Sequence, residues 1–290
     1  MCIGNSFSGR YLARHFNSVT VSFVSRDPDL LHRQKLRVAQ PDRDRYDGIL
    51  DCVPPLANGD SIEWYSWPVI RSCLERQGTD LPLVHISSTS VFEGCQAVAN
   101  HISDLPQCDE ATPVKPGLRG ARRVALETEL RRLWPASWIV RSCGLYGPGR
   151  NALTLLTKAA PGFLQAEERV VNRIHVHDLL GICLALMSAY GSSWPTAERL
   201  LHACDQNPVR NRELLQFLQD THGRHLQALS TTRLDPEIPA GTTGNAAGPE
   251  PGYQGYLVQS CRAERLAVPL RYGSVLDGLG EPLEDLLTET

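Results

Sequence analysis

The chain has 290 residues, 42% of them hydrophobic, with 29 Lys+Arg against 32 Asp+Glu and a net charge of −3. That is enough apolar material for one large domain, or one domain with a small appendage. A pI near 6.3 and the lack of a basic stripe argue against nucleic acid as a partner. No apolar run reaches the roughly 18–20 residues needed to span a bilayer, and no basic-then-apolar leader precedes the first glycine turn. A cytoplasmic protein with no membrane partner is therefore expected. The nine cysteines run from Cys2 to Cys261 without a Cys-x-x-Cys pair. That usage fits reduced thiols and predicts no metal site.

Met1–Gly9 reads as the end of a buried strand, a tight turn and the start of a helix. Gly4-Asn-Ser6-Phe7-Ser8-Gly9 is one change from Gly-x-Gly-x-x-Gly. In that fingerprint the first glycine permits the turn, the second lets phosphate approach the backbone, and the third lets the helix pack on the strand. Ser6 keeps a small side chain, and the helix N-terminal amides would still face a pyrophosphate. A plain structural glycine turn is the alternative. Only three residues precede Gly4, fewer than the usual five or six or so of a strand, so either the strand is truncated or the true start lies upstream of Met1. A helix over Gly9–Phe16 and a strand over Val19–Val24 complete a strand–turn–helix–strand unit. That second strand runs into Ser25-Arg26, where an acid would ordinarily bind the ribose of NAD. An arginine suits a 2′-phosphate instead, so NADP is preferred. Asp27, one residue on, keeps NAD open.

A short strand is expected at Leu36–Ala39, and a buried one over Asp47–Val53, stopped by Pro54-Pro55. Val53 and Pro54 then flank the nucleotide. Ser66-Trp67-Pro68 opens a helix with core face Val69, Ile70, Cys73 and Leu74, ended by Gly78. Leu81–Ile86 is a strand with the hydroxyl-rich run Ser87–Gly94 at its end. Asn100–Pro116 reads as a loop, and Arg119–Trp134 as a helix burying Leu126, Leu130 and Leu133, with Glu127 and Arg131 paired at i,i+4. Trp138–Cys143 is a strand, Gly144–Gly149 a glycine-rich loop and Ala152–Ala160 a short helix. Later come a helix over Asp178–Tyr190 with Leu179, Leu180, Cys183, Leu184 and Met187 on its core face, a strand over Leu200–Cys204 and a helix over Asn211–Thr221. Residues 235–255 lack apolar periodicity and read as a mobile loop. Ser260–Leu266 is a short helix.

Ile86-Ser-Ser-Thr-Ser-Val91, Arg141-Ser-Cys-Gly-Leu-Tyr-Gly-Pro-Gly-Arg150 and Arg173-Ile-His-Val-His-Asp-Leu179, in this order and spacing, resemble the extended short-chain dehydrogenase/reductase superfamily of NAD-dependent epimerase/dehydratase type. Leu201–Asp205 resembles that family's late strand. The likeness implies a Rossmann-type α/β fold, a doubly wound parallel sheet, with residues 1–150 as cofactor domain and 151–290 as a smaller substrate lobe interleaved with it. It also implies an oxidoreductase working on a small polar, sugar-derived substrate, and a homodimer. Ser88 matches the hydroxyl that contacts the substrate oxygen.

The departure is catalytic. At the register of the family's Tyr-x-x-x-Lys pair stand Arg119 and Arg123, a pattern similar to the atypical YeeZ-like branch. Arginine is effectively always protonated and exchanges no proton near pH 7, although Arg123 could still bond ribose or phosphate. Tyr146 is the candidate replacement acid; His85 and His175 are also titratable, but His85 is weighed as a core residue and His175 as bonding backbone in the Arg-x-His-Val-x-Asp turn. Ser90, Arg150 and Arg173 are the candidate substrate contacts. A catalytically silent NADP(H) sensor or scaffold is the alternative to an enzyme.

Overall fold

Strands buried on both faces read as near-continuous apolar runs, and six such strands lie among the described residues. In the structure, a computed structural model describing residues 1–58, 61–78, 80–157, 166–190, 194–232 and 252–288, they form one sheet. The strands are β1 (Cys2–Ile3), β2 (Phe23–Val24), β3 (Ile49–Asp51), β4 (Leu83–Ser88), β5 (Trp138–Ser142) and β6 (Leu200–Ala203). Their order across the sheet is β6-β5-β4-β3-β1-β2, and every pairing is parallel. The expected strand at Leu36–Ala39 is reduced to a parallel bridge between Val38 and Phe23, outside β2. The chain thus winds outward from β1 to one edge, returns, and winds outward to the other. This is the doubly wound Rossmann arrangement, with its switch point between β1 and β3.

Among the described residues the α-helices are α1 (Phe7–His15), α2 (Pro28–Arg33), α3 (Trp67–Gln77), α4 (Leu118–Leu133), α5 (Ala152–Thr157), α6 (Val176–Ser188), α7 (Asn211–Thr232), α8 (Val275–Leu279) and α9 (Leu283–Leu287). Alternate strand residues feed opposite faces. Val84 and Val140 pack with Tyr11 and Leu12 of α1 and with Leu179, Leu180 and Cys183 of α6. Leu83 and Ile139 pack with Ile70 and Leu74 of α3 and Leu130 of α4. A separate core gathers Tyr146, Leu153, Leu214, Leu218, Val275, Leu279 and Leu286 among α5, α7, α8 and α9. A cut at residue 150 therefore crosses both cores: α6 and β6 lie on the sheet, and Tyr146 lies in the lobe.

Several expectations need correction. Gly144–Tyr146 is not loop but a strand paired with Arg173–His175. The segment after the double proline forms an antiparallel pair, Leu56–Asn58 with Ser61–Glu63. The Asn100–Pro116 connection contains a strand, Gln107–Cys108, paired with Leu257–Val258. Tyr253–Gly255, at the end of the expected mobile loop, is a strand paired antiparallel with Ala97–Ala99; residues 235–251 of that loop lie outside the described residues. Glu127 turns inward to Arg141 rather than to Arg131, at 2.7 Å, both side chains being buried. Among the described residues no helix is long and apolar enough to cross a membrane, and no group of three His, Cys, Asp or Glu is placed to hold a metal.

Candidate cofactor crevice and active site

All six strands point the same way, so the residues after β1, β2, β3, β4 and β5 share one edge, and ligands of such sheets sit outside that edge at the switch point. Gly4 bends the chain there with φ +94°, and a Cβ on it would lie 3.0 Å from Val53 Cγ2. Its N–H donates to the Val24 carbonyl at 2.8 Å. A Cβ on Gly9 would lie 2.6 Å from Cys2 Sγ and 2.9 Å from Phe23 Cε1. Only glycine at this position lets α1 lie against the sheet so closely. Ser6, at the middle glycine's position, is the N-cap of α1, its hydroxyl accepting the Gly9 N–H at 3.0 Å. The serine side chain is folded back onto its own helix. Phe7 and Ser8 then offer amides with no intrahelical acceptor, at a nine-residue helix with no acid in its first turn. These residues fit a diphosphate held by backbone and helix dipole. The Phe7 ring itself lies beneath the Arg150 guanidinium, 5.5 Å away.

At the other side of the turn, Asp27 caps α2, accepting the Leu30 N–H at 2.9 Å, while Ser25 Oγ accepts the Asp27 N–H at 3.2 Å. The acid that kept NAD open is thus engaged as a helix cap. Arg26 extends over the Tyr65 ring at 4.9 Å. Val53, followed by Pro54, donates its N–H to Asp51 Oδ1 at 3.1 Å. Asp51 was not anticipated. It is fully buried and its other oxygen accepts from His85 Nδ1 at 2.8 Å, Ser66 Oγ at 2.9 Å and Trp64 Nε1 at 3.5 Å. The available signal was an acid inside the apolar run Ile49–Val53. His85, expected in the core, is there as the partner of this carboxylate.

Ser88 ends β4, opposite Ser142 in register. Its hydroxyl accepts the Ser90 N–H at 3.2 Å and opens the 3₁₀ turn Thr89–Cys95. A Cβ on Gly120 would come within 2.4 Å of the Ser90 carbonyl oxygen, so α4 presses its first turn onto this serine turn. That contact brings Arg119, which is exposed, and Arg123 to the same end of the sheet. Burial holds the Arg123 guanidinium below its ordinary pKa, and it donates to the Ile86 carbonyl at 3.5 Å. Behind it Glu127 accepts from Ser87 Oγ at 2.6 Å and from Arg141.

Tyr146 does not reach this cluster. Its hydroxyl donates to the Ser274 carbonyl at 3.1 Å in the lobe core, its ring is buried, and burial pushes its pKa up. The phenol expected as replacement acid is thus engaged in the lobe core. His175 caps α6, its Nδ1 accepting the His177 N–H at 3.1 Å, and burial pushes its pKa down to about 3. It floors a cavity of 390 Å³ with Tyr11, His15, Arg271 and Tyr272, on the flank of α1 rather than at Ser88. Arg173 faces the buried Asp205, whose carboxyl is pushed up to about 8 by burial, against the opposing pull of that guanidinium. Asp178, in the first turn of α6, is buried and accepts the Arg271 and Tyr272 N–H groups at 2.8 and 3.1 Å, tying down the C-terminal segment.

No protein-family model and no curated protein matches the sequence. Solved structures do. A protein of Methylobacillus flagellatus assigned as an NAD-dependent epimerase/dehydratase is 22% identical, with 96% of this chain and 95% of that one covered and a TM-score of 0.62. UDP-N-acetylglucosamine 4-epimerase of Bacillus cereus is 12% identical, with 96% of each chain covered and a TM-score of 0.61. The RMD protein of Pseudomonas aeruginosa, solved with NADPH, is 13% identical, with 99% of each chain covered and a TM-score of 0.57. Over nearly its whole length, this chain has the fold that these three structures share.

Proposed function

We propose that the chain is a cytoplasmic NADP(H)-dependent oxidoreductase of the epimerase/dehydratase kind, acting on a small polar substrate of the sugar-derivative class. The observation that carries this reading is the glycine turn at the switch point, with Arg26 at the end of the adjoining strand. The Phe7 and Ser8 amides hold the diphosphate, Arg26 meets the 2′-phosphate, Val53 and Pro54 wall the crevice, and Arg123 reaches the ribose. A bound nicotinamide supplies or accepts hydride. Ser88 donates a hydrogen bond to the substrate oxygen, and Ser90, Arg150 and Arg173 are assigned to the substrate side. Arg119 and Arg123 stabilise negative charge on that oxygen without exchanging a proton, so the proton moves through water or the substrate itself. The NADPH complex of the RMD protein and the UDP-sugar epimerase among the structural neighbours support this reading. The lobe-bound hydroxyl of Tyr146 favours a second reading, a catalytically silent NADP(H) sensor.

Titration of the purified protein with NADPH and NADH, followed by nicotinamide fluorescence, tests the cofactor. NADPH binds more tightly, and Arg26→Ala weakens it about 10- to 100-fold, the span of one lost charge-assisted hydrogen bond, while sparing NADH. Binding of neither at millimolar concentration ends both readings. Turnover of any sugar derivative separates enzyme from sensor.

A further inference from the structure

We propose that Tyr65 is a specificity-determining residue that sets Arg26 in position for the adenosine 2′-phosphate; this rests on the NADP(H) reading above. Arg26 is exposed at the end of β2. A free arginine there would lose most of its rotamer freedom on meeting a phosphate. It instead lies with its guanidinium carbon 4.9 Å from the centroid of the Tyr65 ring, a distance at which cation and ring attract. Part of the ordering is therefore complete before any nucleotide arrives.

Tyr65 is itself held from both sides. Trp64 Nε1 and Ser66 Oγ, its two neighbours, donate to the buried Asp51. Trp64 stacks on Trp67 with centroids 4.9 Å apart, and the Tyr65 hydroxyl bonds the Glu63 carboxylate. The ring is nonetheless 41% exposed. Among the described residues four large hydrophobic side chains are exposed, and two of them, Leu56 and Tyr65, lie on the segment between β3 and α3 that leads away from the switch point. A rigidly mounted aromatic left in solvent beside a cation, next to a phosphate-binding turn, is built for a ligand.

The test uses the full chain and equilibrium binding of NADPH, NADH and 2′,5′-ADP. Tyr65→Leu raises the Kd for NADPH and 2′,5′-ADP about 2- to 5-fold, the range of an exposed cation–π contact, and leaves that for NADH unchanged. Tyr65→Phe, which keeps the ring, retains most of the NADPH preference. The double variant Arg26→Ala with Tyr65→Leu binds NADPH no more weakly than Arg26→Ala alone, because the ring acts through the arginine. An unchanged NADPH affinity in Tyr65→Leu, equal losses for NADPH and NADH, or additive losses in the double variant would overturn the proposal. If the parent protein binds none of the three, the NADP(H) reading has failed and this one goes with it. If the parent binds NADPH and Tyr65→Leu matches it, only the role of Tyr65 is lost.

Discussion

One sheet edge carries two regions that spend their polar groups differently. At the switch point the working parts are backbone: the Gly4 bend, the α1 amides and one arginine, with side chains kept clear by glycine or folded away, as Ser6 is. Two and three strands along, at β4 and β5, the polar groups are side chains, and most are engaged with one another. Ser87, Glu127 and Arg141 form a closed buried cluster, and Tyr146 has been drawn into the lobe core. A backbone cradle tolerates sequence change because glycine and helix geometry define it. A side-chain constellation does not, since each ionisable group that becomes structural leaves one fewer for proton transfer.

Breaking the closed cluster is expected to have the largest effect. Glu127→Ala leaves Arg141 buried and uncompensated, since both side chains are under one-tenth exposed. Removing one partner of such a pair costs about 3–5 kcal/mol, read as a lower urea midpoint. The folded fraction should still bind NADPH with the parent's affinity, because the cradle makes no use of Glu127. A stability change below about 1 kcal/mol would show that the pair is not the anchor, and a matching loss of NADPH affinity would show that the two regions are coupled.

The second effect is a pH dependence. His175 is held neutral in the folded chain, with its pKa pushed down to about 3 from an ordinary 6.5. As pH falls below 6.5 the unfolded chain takes up a proton that the folded chain refuses, so stability drops until pH approaches 3. One such group contributes a slope of at most about 1.4 kcal/mol per pH unit. His15, His177 and His202 are displaced in the same direction by burial. His175→Asn, which preserves an N-cap acceptor, is therefore expected to flatten the acid limb by its own share only. Urea midpoints for parent and variant between pH 4 and 7 measure this. Parallel curves would mean that His175 is not the proton acceptor in question.

The sequence made the glycine turn and the start of α1 legible because their physics is local. A glycine three residues into a strand–helix junction and an arginine closing the next strand need no partner elsewhere to be read. Helix faces were legible too: Leu179, Leu180 and Cys183 all lie where a 3.6-residue period puts them. What escaped depends on residues far apart. Asp51 meets Ser66 and His85 from positions 15 and 34 residues away. Glu127 prefers an arginine on the neighbouring strand to the one four residues along its helix, because its side of α4 faces the sheet. Gly144–Tyr146 looked like loop because three of its neighbours are glycine or proline, yet pairing with Arg173–His175 supplies its backbone partners. The surroundings of Tyr146 escaped for the same reason: sequence placed it after β5, but only the fold shows α8 closing over its hydroxyl.

That hydroxyl gives the smallest expected effect and the sharpest separation of the two regions. Tyr146→Phe removes one hydrogen bond to the Ser274 carbonyl and nothing else, since a Cβ on Gly278 would already stand 2.7 Å from the Tyr146 oxygen and the ring fills its space without it. The loss should be about 1 kcal/mol of stability, with NADPH affinity unchanged. In any turnover assay kcat should also be unchanged across the pH range. With its pKa raised by burial, this phenol neither titrates near neutrality nor faces Ser88. A fall in kcat of tenfold or more, without a matching stability loss, would mean that the lobe opens far enough for Tyr146 to reach substrate. The proton would then come from the lobe, and the polar cluster at β4 and β5 would be scaffold alone.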